Sequence, residues 1–251
     1  MSAILEGTGL SKHFGDFTAV DRVDFRIEPG RTLGVVGESG SGKSTLGRIV
    51  MRLMKPDAGT VTLDGHDLFG MSRANLRRAR RSFQLVPQDP RNALNPAMTV
   101  GENLAFQLRA QGVARREWAS RSADLLATVA LSSDYTHAYP YELSGGQAQR
   151  VAIARAISSR PKLLICDEAV SALDKSVQAQ VLNTFADLQR ELGVAMFFIT
   201  HDLAVVEHIA DDLLVLNRGR VVERGETRAV LDAPTDPYTQ ELLAARAAVH
   251  A

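Results

Sequence analysis

The sequence predicts an α/β fold with a parallel-sheet core, an antiparallel β-subdomain at the N-terminus and an inserted α-helical subdomain. Three observations lead there. Short apolar runs at residues 32–36, 162–166, 195–200 and 213–216 are separated by stretches of helical spacing, the alternation expected of parallel α/β structure. The first run is followed at once by a glycine-rich turn and a helical stretch. Between the first two runs, residues from about 99 to 160 are polar and alanine-rich, with helical spacing and few strand signals.

Taken in order, residues 5–27 show short apolar alternations broken at Gly15-Asp16 and closed by Pro29-Gly30, which fits two or three antiparallel strands. Residues 32–36 form a compact apolar strand, and the helix after the glycine-rich turn is expected from Lys43 to about Leu53. Segments 59–64 and 82–86 read as further strands, and 99–160 as the helical insertion. The later apolar runs supply the remaining core strands. After Ala233 come Pro234, Pro237 and a final helical stretch. The whole reads as one domain over residues 1–240 with a short tail at 241–251, without internal repeats.

Bulk properties exclude several function classes. A chain of 251 residues is ample for a buried core. Its 29 basic and 29 acidic side chains cancel, so no protein-wide positive field attracts nucleic acid, and no nucleic-acid partner is expected. The arginines 77, 78, 80 and 81 read instead as a solvated helical face. Apolar stretches such as 194–199 fall far short of the roughly 18 residues of a membrane span. Glu6 and Gly7 interrupt the apolar N-terminus, leaving no secretory h-region, so cytoplasmic residence is expected. The lone Cys166 lies within an apolar run and is assigned no redox or metal role.

Residues 37–45 read Gly-Glu-Ser-Gly-Ser-Gly-Lys-Ser-Thr, the G-x-x-x-x-G-K-[ST] phosphate cradle, with a strand before and a helix after. Gly40 and Gly42, with Ser39 and Ser41 between and before them, let the backbone wrap so that amide N–H groups and the helix N-terminus face phosphate oxygens. Lys43 neutralises the β- and γ-phosphates, and Thr45 supports the α-phosphate. The Ser44 hydroxyl completes a Mg²⁺ ligand set otherwise made of phosphate oxygen and water, as a hard cation prefers.

The run 163–166 ends in Asp167-Glu168, at the C-terminal edge of a parallel sheet, where such sheets form their binding crevice. Successive strand residues point to opposite sides, so the two acids have different tasks. Asp167 is assigned to the metal's water shell and Glu168 to the water attacking the terminal phosphate. Alone, the pair reads equally well as a helix N-cap; the phosphate cradle decides between the two. His201 follows another core strand and so reaches the same crevice, where it fits a γ-phosphate contact. Leu143-Ser144-Gly145-Gly146-Gln147 opens a helix, with Ser144 as N-cap and two glycines exposing backbone donors, a second anion site.

The cradle, the 143–147 segment, the paired acids, Ser171-Ala172-Leu173-Asp174 and His201, in this order along the chain, resemble the signature set of ABC ATPases, and the similarity runs from Leu10 to about Leu243. The resemblance implies a P-loop NTPase cassette with a RecA-like core, taking ATP and Mg²⁺. It implies two cassettes sandwiching two ATPs head to tail, with Ser144, Gly145, Gly146 and Gln147 contacting nucleotide held by the other subunit and Asp174 communicating across the interface. It further implies that Phe14 stacks on adenine beside Val20, and that Gln88 links γ-phosphate and metal to a permease. Without the family, Phe14 and Val20 would read as core residues and Gln88 as a loop amide.

Finer resemblance, through Pro87-Gln88-Asp89-Pro90, Leu94-Asn95-Pro96, Tyr139-Pro140 and Asp236-Pro237-Tyr238-Thr239, is to the oligopeptide, dipeptide and nickel importer branch. It implies an ATP-hydrolysing importer subunit, peripheral on the cytoplasmic face of the cell membrane. The implied partners are two transmembrane permease subunits, a second ATPase subunit that is either a copy or a paralogue, and, indirectly, a solute-binding protein. Ala138, Tyr141, Ala148, Ala169 and Lys175 depart from the branch pattern without removing a catalytic group. The sequence ends soon after the Pro-Tyr-Thr motif, without a cysteine-bearing extension, so no iron–sulfur cluster is expected. The competing expectations are an accessory cassette of a phosphonate-degrading complex and a non-transport ABC ATPase. The latter calls for coiled-coil insertions, tandem cassettes or basic extensions, which are not seen here. A small-molecule P-loop kinase would leave residues 143–147 unexplained.

Overall fold

A computed structural model describes residues 2–249; residues 1, 250 and 251, the last two belonging to the expected tail, lie outside the described residues. The elements run β1 (Leu5–Phe14), β2 (Phe17–Ile27), β3 (Thr32–Val36), α1 (Lys43–Val50), β4 (Ala58–Leu63), β5 (His66–Asp67), α2 (Arg73–Ala79), β6 (Phe83–Val86), α3 (Pro90–Ala93) and α4 (Val100–Ala110). They continue with α5 (Trp118–Thr128), α6 (Gly145–Ile157), β7 (Leu163–Asp167), α7 (Lys175–Leu192), β8 (Ala195–Ile199), α8 (Leu203–Ile209), β9 (Asp212–Asn217), β10 (Arg220–Glu226), α9 (Thr227–Asp232) and α10 (Pro237–Val249).

Two sheets result. The smaller is antiparallel in the order β2-β1-β4-β5, and the larger has six strands in the order β10-β9-β3-β8-β7-β6. Within the larger sheet β9, β3, β8, β7 and β6 are parallel, while β10 pairs antiparallel to β9 at the edge. The fold class read from the sequence is the one observed.

The core strands are apolar throughout because both faces of the sheet are covered. On β7, Leu164 and Cys166 enter one hydrophobic cluster, shared with α4 to α7, whereas Leu163 and Ile165 enter another, shared with α1 and the antiparallel sheet. On β8, Met196 and Phe198 face the first cluster, and Ala195, Phe197 and Ile199 the second. Ring contacts secure each side: Phe198 meets Phe185 of α7 edge-on at 5.4 Å, and Phe197 meets Phe25 of β2 at 5.3 Å. Cys166 is wholly buried in this sandwich, and burial, with the Asp167 carboxylate adding, pushes its thiol far above the ordinary range.

Helices start where caps satisfy their first amides. Thr99 and Glu102 form a reciprocal capping box on α4, and Ser144 and Gln147 do the same on α6. Asp174 caps α7 by accepting from the Val177 amide at 3.0 Å. The helix after the glycine-rich turn stops at Val50, three residues before the expected end, and α2 buries none of its side chains, as its arginines suggest. The last helix runs through position 240; Tyr238, Leu242 and Leu243 pack against a third cluster that includes Leu203, Val206 and Val215.

Candidate active site

The cradle sits where β3 ends. Gly42, the N-cap of α1, has φ 106°, and a Cβ there would collide with the Ala19 carbonyl, so the close passage of the loop beneath β2 requires glycine. No side chain caps α1, and its first residues, Lys43, Ser44 and Thr45, line the cavity, so its N-terminal amides are available to an anion there. The loop is tied at two points: the Gly219 amide donates to the Ser41 carbonyl at 2.9 Å, and the Glu38 amide donates to the Tyr238 hydroxyl at 2.9 Å. Lys43 is buried, and its ammonium donates to the Gly37 carbonyl (2.6 Å), the Glu38 carbonyl (2.7 Å) and the Ser41 hydroxyl (3.3 Å). Burial lowers its pKa, against the opposing pull of Glu168, Asp167 and Glu38.

The acids arrive on β7. Asp167 is only partly exposed, and burial, then the neighbouring Glu168, raises its pKa, while Arg48 and Lys43 oppose the rise. Glu168 leaves the strand at φ 48°, a left-handed conformation unusual for a side-chain-bearing residue. Its amide is fixed by the Ile199 carbonyl at 2.9 Å, and its own carbonyl by the Ser171 amide and hydroxyl at 3.1 and 2.9 Å. This turn throws the carboxylate over the cavity. There Gln88 donates to Oε2 at 3.1 Å, and His201 Nδ1 lies 3.3 Å from Oε1. Gln88 also donates to the Ser171 hydroxyl at 3.2 Å.

These groups enclose a cavity of about 240 Å³ lined by Phe17, Ala19, Ser39, Gly40, Gly42, Lys43, Ser44, Thr45, Glu168 and His201. Most expected cradle and strand-end residues thus converge. Ser41 instead turns its hydroxyl toward Lys43, and Gln88 reaches the cavity through Glu168. Two expected residues are placed differently. Val20 is fully buried in the core, and Phe14 lies outside the lining, exposed, with the Lys12 ammonium 5.8 Å from its ring centre. Phe17, the strand partner of Phe14, and Ala19 line the rim.

Ser144, Gly145, Gly146, Gln147 and Asp174 do not line this cavity; they lie together elsewhere. Gly146 comes so near α7 that a Cβ would collide with Val177 Cγ1, and Gly145 approaches Leu173. The Ser144 hydroxyl accepts from the Gln147 amide at 3.3 Å, and Gln147 donates to Tyr135 at 2.7 Å. Asp174 is held below its usual pKa by the Val177 amide and the Ser176 hydroxyl. The residues assigned to a metal carry the oxygen donors that a hard divalent cation prefers: the exposed Ser44 hydroxyl at the lining, the Asp167 carboxylate, which acts electrostatically on Lys43, and the Gln88 side-chain oxygen. Together with a polyphosphate, this set fits Mg²⁺.

Sequence and structure comparisons identify the family and the fold. Residues 20–171 match the family described as ABC transporter. A protein of Sinorhizobium fredii named probable peptide ABC transporter ATP-binding protein is 46% identical over 255 residues, covering 97% of this chain and 72% of that protein. The solved structure of cbiO1 from Clostridium perfringens, part of the ABC transporter complex cbiONQ, superposes with a TM-score of 0.85 at 28% identity, covering 92% of each chain. The ATP-binding cassette MJ0796, solved as a dimer in a post-hydrolysis state with ADP and Pi, superposes at 0.77 with 29% identity, covering 89% of this chain and 99% of that one.

Proposed function

This chain belongs to the ABC transporter family, and we propose that it is the ATP-hydrolysing subunit of a peptide importer, coupling ATP binding, pairing of two cassettes and hydrolysis to movement of a permease. The observation that carries the reading is the placement of the Glu168 carboxylate, clasped by Gln88 and His201, at the mouth of the same cavity that the Lys43 loop encloses. A phosphate chain in the loop brings its terminal phosphorus under the one carboxylate able to act on water there.

In this reading the loop amides and the α1 N-terminus hold the phosphate oxygens, with Ser39, Gly40, Ser41, Gly42 and Thr45 shaping the wrap. Lys43 keeps the Gly37 carbonyl and exchanges the Glu38 carbonyl and the Ser41 hydroxyl for the β- and γ-phosphates, which relieves the cost of keeping its charge buried. Glu168 orients the water and takes its proton; the new bond forms to the γ-phosphorus as the bond to the bridging oxygen breaks, and ADP leaves with that electron pair. His201 steadies the γ-phosphate oxygens. Mg²⁺ held by Ser44, Gln88 and Asp167 would neutralise charge developing on the β- and γ-oxygens. Phe17 offers a ring for the base, with Phe14 beside it across the hairpin.

Ser144, Gly145, Gly146, Gln147 and Asp174 serve the second nucleotide. Their separation from this chain's own cavity supports a contact in trans, from a second cassette that is either a copy or a paralogue. Residues 1–240 form the ATPase unit, and the helices of 99–160 carry its motion to two permease subunits that receive solute from a binding protein. Among the described residues no helix is long and apolar enough to cross a membrane, so a place at the cytoplasmic face rests on the permease. The relative named for peptide transport weighs against an accessory role in phosphonate degradation.

The test is reconstitution with the cognate permease and binding protein in vesicles. Solute-stimulated ATPase in the wild type, absent with Glu168→Gln, is expected; ATPase that ignores solute would remove the coupling from the proposal.

A further inference from the structure

The sequence marks Tyr238 only as part of a branch motif, yet its hydroxyl touches the phosphate loop 200 residues away. We propose that Tyr238 is a positioning residue for ATP binding, acting through the Gly37–Glu38 peptide on Lys43. The proposal rests on the function argued above.

The geometry is that of one rigid plate gripped on opposite edges. The Gly37 carbonyl and the Glu38 amide belong to a single planar peptide group. The amide edge donates to the Tyr238 hydroxyl at 2.9 Å, and the carbonyl edge accepts from the Lys43 ammonium at 2.6 Å. Rotation of that plane would therefore move the Lys43 anchor. The next carbonyl, that of Glu38, holds the same ammonium at 2.7 Å.

Tyr238 is itself well placed to act as a fixed post. Its ring packs against the cluster of Val36, Leu203, Val206 and Val215, so it rides on the end of β3 and on α8. Its amide donates to Asp236 Oδ1 at 2.9 Å. One residue earlier, Glu223 of β10 accepts from the Thr235 amide (2.7 Å), the Thr235 hydroxyl (2.9 Å) and the Asp236 amide (3.3 Å). The phenol stays protonated, because burial first, and the Glu38 and Glu241 carboxylates next, raise its pKa. Its oxygen is thus a neutral acceptor, and α10 becomes a brace on the loop that receives the triphosphate.

The experiment is Tyr238→Phe in the full chain, which keeps the ring and removes the oxygen. Three quantities are read: Mg·ATP affinity by calorimetry, KM against kcat for hydrolysis, and exchange of the Glu38 amide proton by NMR. The affinity is expected to weaken about three- to ten-fold, the worth of one hydrogen bond. KM should rise in parallel, kcat should stay within about two-fold, and the Glu38 amide should exchange faster. Glu223→Gln, which leaves the phenol intact but loosens its support, should shift affinity in the same direction. Unchanged affinity in Tyr238→Phe, with or without a lower Tm, overturns the proposal, as does a loss confined to kcat. A wild-type chain that fails to bind Mg·ATP would instead remove the functional reading itself.

Discussion

Gln88 and Glu168, 80 residues apart in sequence, are joined by a hydrogen bond of 3.1 Å from the amide of the first to the carboxylate of the second. Gln88 follows the edge strand β6, whereas Glu168 follows β7, so the bond ties the carboxylate proposed to direct water to a loop that leads into the helical lobe. Gln88→Ala is expected to lower kcat about ten-fold or more, the worth of a hydrogen bond to a charged group, and, because it also removes a proposed Mg²⁺ ligand, to weaken Mg·ATP binding less than it lowers kcat. Steady-state ATPase rates beside equilibrium binding measure the split.

Glu168→Gln keeps the size of the side chain and removes its ability to take a proton. The expected outcome is a fall in kcat of about 10² to 10⁴ with Mg·ATP binding retained. Under those conditions two chains should stay paired with nucleotide between them, which size-exclusion chromatography with and without Mg·ATP will reveal.

Gly146→Ala introduces a Cβ into Val177 Cγ1. Helix propensity favours alanine by about 1 kcal/mol, but the collision sets α6 against α7, and a net destabilisation of about 1–3 kcal/mol is expected. Adding Val177→Ala should recover most of it. Thermal denaturation of the single and double variants tests both halves.

Glu223 gives a pH dependence with a definite sign. Burial pushes its carboxyl up, but the hydrogen-bond donors of Thr235, Thr239 and Asp236 together outweigh burial and hold it below the usual value. Its stabilising effect is therefore complete above the ordinary glutamate range and is lost as pH falls through the lowered folded-state value. Limited proteolysis should find the segment between α9 and α10 protected near neutrality and open in acid. In Glu223→Gln that acid-dependent change should be absent.

Much of this site is legible in the sequence because its chemistry is local. Residues 37–45 need only a strand before and a helix after, and Asp167-Glu168 need only to end a buried strand. The carboxylate's escape at φ 48° and the Gln88 and His201 contacts depend on neighbouring strands, which no spacing reveals. The place of Phe17 at the rim is set by the hairpin that pairs it with Phe14, and no motif marks it in the sequence. Strand β10 went unread because its Val221, Val222, Glu223 and Arg224 are at most half-buried, at an edge with no apolar run to mark it. Tyr238 stood out only as a motif letter, since its partner lies at the other end of the chain.

The burial of Cys166 has a practical side. The sequence holds one cysteine, and its thiol is sealed between the large sheet and the helices packed on it and kept protonated. A cysteine introduced at exposed Leu53 or Leu192 is then a unique handle for maleimide dyes or spin labels on the otherwise native sequence. Distances between paired chains during turnover can be followed spectroscopically without first engineering a thiol-free background.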